Sequence, residues 1–168
     1  TQPSASLSGG YCDTWLFSSA GSSSNVTNIS WNFGDFSGPS SNPTTHTYTE
    51  IGYYNVIVSG QVPNAAGTNL CTVSETVVVE VAMIAQFGAE VSCAPSPTDA
   101  PQLCLNDETA YLPGTSLNSI NFTLVPGSGS SSVSPACFGS LTPGSVYTAN
   151  LTATHSSLCI DDFTQAVT

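Results

Sequence analysis

Ile29-Ser-Trp31-Asn-Phe33-Gly-Asp35, then Pro43-Thr-Thr-His46-Thr-Tyr48 and Gly52-Tyr-Tyr54-Asn-Val56-Ile-Val58, read as strand, turn and strand. Ile29, Trp31 and Phe33 alternate with Ser30 and Asn32, the period of two that marks a half-buried strand. Gly34-Asp35 and the run Gly38-Pro39-Ser-Ser-Asn42-Pro43 supply strong turn chemistry. After Gly52 the alternation resumes, with Tyr54, Val56 and Val58 on one face.

Working outward, the same texture continues. Residues 1 to 10 read as a linker leading into a first edge strand, and Tyr11 to Ser18 as the next strand. Gly21 to Asn28 is a polar loop. Gln61 to Asn69, with Pro63 and Gly67, reads as a hairpin loop. Cys71 to Ala82 is a last strand rich in β-branched residues. Seven short strands with turns every 8 to 12 residues or so suit a sandwich, and no stretch carries convincing helix caps.

The quoted residues resemble the PKD (polycystic kidney disease) domain family, a seven-stranded immunoglobulin-like sandwich whose pattern is W-x-F-G-D, P-x-H-x-Y and G-x-Y-x-V. The match is residue by residue, except that two residues rather than one separate Pro43 from His46. It is strong over roughly residues 5 to 82. The resemblance implies a spacer or interaction module of extracellular proteins, with His46 packed and hydrogen-bonded rather than catalytic. Asp35 reads as a brace for the turn after Phe33, with metal binding as the alternative.

The second half repeats the first in eroded form. Leu103-Cys104-Leu corresponds to Tyr11-Cys12, Ile120-Asn-Phe122 to Trp31-Asn-Phe33 without the Gly-Asp, Pro143 to Leu151 to Gly52 to Val58, and Cys159-Ile-Asp161-Asp162 to Cys71 onward. Pro43 to Tyr48 has no counterpart. The expected architecture is all-β: two tandem immunoglobulin-like (PKD-type) β-sandwiches, residues 1–82 and a degenerate copy at 83–168.

Composition narrows function. The 168 residues include no Lys or Arg and eleven Asp or Glu, a formal charge of −11. Hydrophobic residues make up 40% and charged residues 7%, so the chain is not an acidic disordered one. Without cations, binding to nucleic acid or to anionic lipid has no electrostatic basis. No apolar run is long enough to span a membrane. The start of the sequence carries no signal-peptide pattern, so secretion implies a mature form or an excised piece.

Six cysteines, none in a C-x-x-C pair, read as disulfides of an oxidising compartment. Cys12 and Cys71 are 59 positions apart and Cys104 and Cys159 are 55 apart. By repeat phase this gives Cys12–Cys71 and Cys104–Cys159, leaving Cys93–Cys137; free buried thiols are the alternative.

Catalysis finds little support. No G-x-S-x-G or H-E-x-x-H motif occurs, and no cation stands ready for an anionic transition state. His155, in Ala-Thr-His-Ser-Ser, reads as an exposed loop residue. Eleven carboxylates without an internal partner suit Ca²⁺. Asp107 and Glu108 follow Cys104, Asp161 and Asp162 follow Cys159, and Asp13 and Glu75 hold looser analogous places. The alternative is a solvated acidic edge. Asn25, Asn28, Asn121 and Asn150 fit the N-x-[ST] glycosylation pattern, against a plain polar surface. Exposed aromatics among Trp15, Phe17, Phe36 and Tyr53 could form a carbohydrate platform, although Trp15 and Phe17 are better placed for the core.

The expected function is therefore a non-enzymatic structural module of a secreted or cell-surface assembly, such as a filament or adhesin stalk. Its partners would be other copies of itself, meeting head to tail with Ca²⁺, and glycans. The alternative is an accessory substrate- or carbohydrate-binding pair of a secreted degradative enzyme.

Overall fold

A computed structural model describes residues 4–7, 10–19, 26–64, 66–67, 70–92, 101–127 and 129–168. The chain divides into two compact units, Thr1–Ala82 and Met83–Thr168. The described residues contain strands and turns and no helix, so the protein is all-β.

The first unit holds seven strands: β1 (Ser4–Leu7), β2 (Thr14–Ser18), β3 (Thr27–Asn32), β4 (Pro39–Ser40), β5 (Thr44–Thr47), β6 (Gly52–Pro63) and β7 (Leu70–Val81). They form two antiparallel sheets, β1-β2-β5 and β4-β3-β6-β7. Alternation does the sorting. Phe17, Trp31, Val56 and Val79 are buried, while their strand neighbours Leu16, Asn32, Ile57 and Val78 are exposed. Phe17 packs between Trp31 and Phe33, with ring centroids 5.3 and 5.1 Å away. Large rings of this kind dominate the energetics of a small core.

The segment from Gln61 to Asn69 is shorter as a loop than its Pro and Gly suggest. β6 runs on to Pro63 and β7 starts at Leu70, in unbroken register from Gly52 opposite Val81 to Pro63 opposite Leu70. Pairing between two strands of high β-propensity outweighs the local turn signals.

The second unit contains β8 (Met83–Ile84), β9 (Phe87–Ser92), β10 (Gln102–Asp107), β11 (Ala110–Tyr111), β12 (Leu117–Val125), β13 (Gly129–Ser131), β14 (Ala136–Phe138), β15 (Tyr147–His155) and β16 (Ile160–Val167). Its main sheets are β14-β10-β9 and β13-β12-β15-β16, with a short β8-β11 ladder. This is the strand order of the first unit: three strands, then four. Its core includes Phe87, Leu103, Leu105, Phe122, Leu124 and the β15 series Ala149, Leu151, Ala153.

Register corrects two of the sequence correspondences. Phe122 stands opposite Leu151 as Trp31 stands opposite Val58. With Leu151 in the place of Val58, Phe122 rather than Ile120 fills the place of Trp31, and the strand runs two residues further before it turns. A strand also stands where the Pro43–Tyr48 element was expected to have no counterpart. β14 follows Ser134-Pro135 and pairs with β10, as β5 follows Asn42-Pro43 and pairs with β2. Its side chains differ, which hides it from a motif comparison.

Candidate functional site

The motif residues of the first unit converge on one cluster. β3 ends at Asn32, and the chain turns through Gly34 at φ 79°, where Asn32 Oδ1 accepts from the Gly34 amide at 3.0 Å. A Cβ at position 34 would sit 2.8 Å from the Asn55 carbonyl oxygen, so only glycine fits. Asp35 then accepts from the Ser37 amide at 3.1 Å and the Ser37 hydroxyl at 2.6 Å through Oδ1. Its other oxygen meets His46 Nε2 at 2.6 Å. An ionised carboxylate only accepts, so Nε2 carries the proton.

β5 delivers His46 face to face with Phe33, centroids 3.9 Å apart and 5° from parallel, and edge-on to Tyr48 at 4.6 Å. Tyr48 is buried, donates to the Phe33 carbonyl at 3.2 Å and stacks on Tyr54 at 4.2 Å. Tyr54 in turn donates to the Glu50 carbonyl at 2.9 Å. Burial pulls the Asp35 pKa upward, but the hydrogen bonds from Ser37 and His46 outweigh it and hold the carboxyl below its ordinary value. Burial, with the charge of Asp35 and the neighbouring Tyr54, pushes the Tyr48 phenol far above its ordinary range, so it remains a donor. A His–Asp pair of this length could serve a nucleophile. Here the imidazole lies flat on Phe33, and its bond to Asp35 closes a turn.

Asn42, in sequence a turn residue beside Pro43, has a second role. Its Oδ1 accepts from Trp31 Nε1 at 3.1 Å and from the Ser19 amide at 3.0 Å, tying the end of β2 to the central tryptophan. The available signal was an amide next to Pro43 in a chain whose buried Trp needs an acceptor.

The expected metal ligands are placed as follows. Asp161 is buried; its Oδ2 accepts from the Ala85 amide at 2.6 Å and its Oδ1 from the Asp162 amide at 2.9 Å. Asp162, one residue on, points to the other face and is exposed. Asp107 Oδ1 accepts from the Thr109 amide at 3.1 Å, closing an Asx turn, and the exposed Glu108 follows it. Asp13 accepts from Thr14 Oγ1 at 3.0 Å; burial raises its pKa, opposed by that bond. Glu75 lies exposed on β7. Among the described residues no three His, Cys, Asp or Glu side chains are grouped as a metal site would need.

The cysteines depart from repeat phase. Cys104 bonds Cys137, with Cα atoms 4.1 Å apart, because the two stand directly opposite on β10 and β14. Neither Cys104–Cys159 nor Cys93–Cys137 can therefore form. Cys71 is a free, exposed thiol, which removes Cys12–Cys71. The reason is distance. Cys12 precedes Asp13, whose carbonyl accepts from Tyr48 near the start of β6, whereas Cys71 pairs with Val62 at the far end of the ribbon. At about 3.3 Å per residue that is roughly 30 Å, far beyond disulfide reach. Cys12 and Cys159 are buried and disulfide-bonded. Cys93 lies outside the described residues.

His155 corrects another expectation. It is buried rather than exposed, at the end of β15, where Nδ1 accepts from the Ser157 amide at 3.2 Å. The Leu117–His155 pairing of β12 with β15 draws it into the sheet.

Of the acceptor asparagines, Asn25 lies outside the described residues. Asn28 is exposed at φ 52° and donates to Gln61 Oε1 at 2.6 Å. Asn121 is exposed on β12, and Asn150 on β15 accepts from Thr164 at 2.7 Å. Among the aromatics, Phe17 is in the core and Trp15 is half-buried. Phe36, at φ 66°, is fully exposed, and Tyr53 is 66% exposed.

The convergence of Trp31, Phe33, Gly34, Asp35, His46, Tyr48 and Tyr54 gives the motif a physical meaning, and the family comparison agrees with it. The family model of the PKD domain matches residues 13–77. Over those residues the first unit resembles a PKD domain. Among solved structures, the chain is similar to the fibronectin(III)-like modules of CbhA from Clostridium thermocellum. That match has 13% identity, covers 99% of this chain and 92% of that one, and has a TM-score of 0.34. No match is found among curated proteins. PKD domains are typically non-catalytic modules, and an immunoglobulin-like unit with disulfides is consistent with an extracellular structural role. No helix of the described residues is long and apolar enough to cross a membrane.

Proposed function

We propose that this protein is a non-enzymatic structural module of an extracellular or cell-surface assembly, of the filament or stalk kind, whose copies meet head to tail. The observation that carries this reading is the cluster around His46. The polar groups that could have done chemistry are spent on each other: His46 on Asp35, Asp35 on Ser37, Tyr48 on the Phe33 carbonyl. Residues 1–82 and 83–168 are read as tandem copies of one sandwich, the second degenerate, because the two units share one strand order. The absence of Lys and Arg suits exposure to trypsin-like proteases. Eleven carboxylates without an internal cation make Ca²⁺, held by ligands from two adjoining copies, the ion assigned to the joints.

Electron microscopy of the purified protein, with and without a calcium chelator, tests the proposal. Filaments that disperse in chelator are expected. Filaments that persist would keep the structural role and assign the joint to strand contacts. Monomers under both conditions would refute self-assembly.

A second reading, an accessory substrate-binding pair of a secreted enzyme, is favoured by one observation: Phe36 and Tyr53 present exposed rings on the first unit. Co-sedimentation with insoluble polysaccharide, lost in Phe36→Ala/Tyr53→Ala, would establish it.

A further inference from the structure

Strand β7 is an edge of unusual regularity. In the sheet β4-β3-β6-β7 it ends the row, and among the described residues its only ladder is to β6. That ladder covers all twelve residues without a bulge. Leu70 to Thr76, Val78 and Glu80 are all exposed, with Leu70, Val73 and Val78 between 41% and 64% accessible. Edge strands present a row of unpaired amides and carbonyls, and natural proteins blunt them with charged side chains, above all Lys, with Pro, with bulges or with short length. β7 contains neither Pro nor Gly, and the chain has no Lys at all. Its only charged residues are Glu75 and Glu80.

From this we infer that β7 accepts an added β-strand from a partner protein, and that the strand is cationic. Backbone pairing supplies affinity in such additions, and alternate side chains supply specificity. Charge chooses the occupant. A second copy of this chain brings a formal charge of −11 and neither Lys nor Arg, so it opposes Glu75 and Glu80 with like charge. A strand bearing Lys or Arg opposite those two positions, with apolar residues against Val73 and Val78, matches both the charged and the apolar positions of the edge. Glu75 and Glu80 stand on opposite faces of the strand, being an odd number of positions apart, so the partner needs a cation on each face.

The test uses the full chain and an extended Val/Thr peptide carrying two lysines spaced as Glu75 and Glu80 are. Binding is followed by fluorescence anisotropy and by NMR-detected amide exchange. We expect protection of alternate β7 amides, affinity that falls as salt rises, and no binding of the same peptide with glutamates for lysines. Glu75→Gln/Glu80→Gln, two surface changes, should weaken binding roughly tenfold. Three results would overturn the inference: β7 amides that exchange freely at saturating peptide, equal binding of the lysine and glutamate peptides, or β7 protection that grows with protein concentration alone, which would make the occupant a second copy.

Discussion

The pair β2–β5 in the first unit and the pair β10–β14 in the second occupy one place in one topology, yet they are held differently. Counting from Pro43 and Pro135, Thr45 corresponds to Cys137 and His46 to Phe138. Across the ladder, Leu16 faces Thr45 where Cys104 faces Cys137. The first unit locks its fifth strand through the His46–Asp35 bond and a stack of rings. The second has Phe138 in the place of His46 and puts a covalent bond on the outer face instead. Glycine moves with the brace. In the first unit Gly34 admits the Asn55 carbonyl; in the second, a Cβ on Gly129 would lie 2.6 Å from the Phe138 ring. One strand order can thus be secured by different side chains, provided some local contact closes the same gap.

The comparison can be broken at several points. The largest effect should come from Trp31→Ala, which empties a fully buried ring site and removes the Asn42 bond. We expect a loss of about 4 kcal/mol, read by denaturant melts and seen first in β3 and β6. A comparable loss from Leu16→Ala would mean that the core had been misplaced. Next is Cys104→Ser/Cys137→Ser. Opening a bridge across 33 positions should cost roughly 3–4 kcal/mol in the chain-entropy view, confined to the second unit. Third, Gly34→Ala forces a side chain into a positive-φ turn against backbone and should cost on the order of 2 kcal/mol. A neutral outcome would show that the turn can relax.

Asp35→Asn is expected to cost about 1 kcal/mol at neutral pH, and its pH signature sharpens the point. The folded Asp35 pKa lies below its ordinary value of 3.8, so its contribution is present above that value and lost as pH falls through the folded one. Asp13 works the other way, because burial raises its pKa and protonation favours the fold. Acid titration of stability should therefore show a decline below pH 3.8 that Asp35→Asn removes and that Asp13→Asn leaves in place.

Much of this architecture is legible in the sequence because its cause is local. Alternation in Ile29 to Phe33 and in Tyr54 to Val58 sets which face is buried, and Gly34-Asp35 marks the turn. The motif places His46 in a packed, hydrogen-bonded role and Asp35 at the turn, but the bond between them is visible only in the structure. What stays hidden depends on pairing across the chain. Cysteine separations of 59 and 55 resemble each other, but strand register, not separation, brings sulfurs together. Cys104 proves to stand in the place of Leu16 rather than Cys12. His155 reads as loop because Ser and Thr surround it, while the pairing of Leu117 with His155 carries β15 as far as that residue. Pro63 and Gly67 likewise signal a loop that the β6–β7 ladder shortens.

The most direct measurement is residue-resolved hydrogen exchange on two variants, Asp35→Asn and Cys104→Ser/Cys137→Ser. Asp35→Asn should loosen amides of β3 and β5 and spare β10 and β14, and the cysteine variant should do the reverse. Equal loosening of both units by either variant, or none of β10 and β14 when the disulfide is absent, would contradict the claim that one fold is held here by two separate local braces.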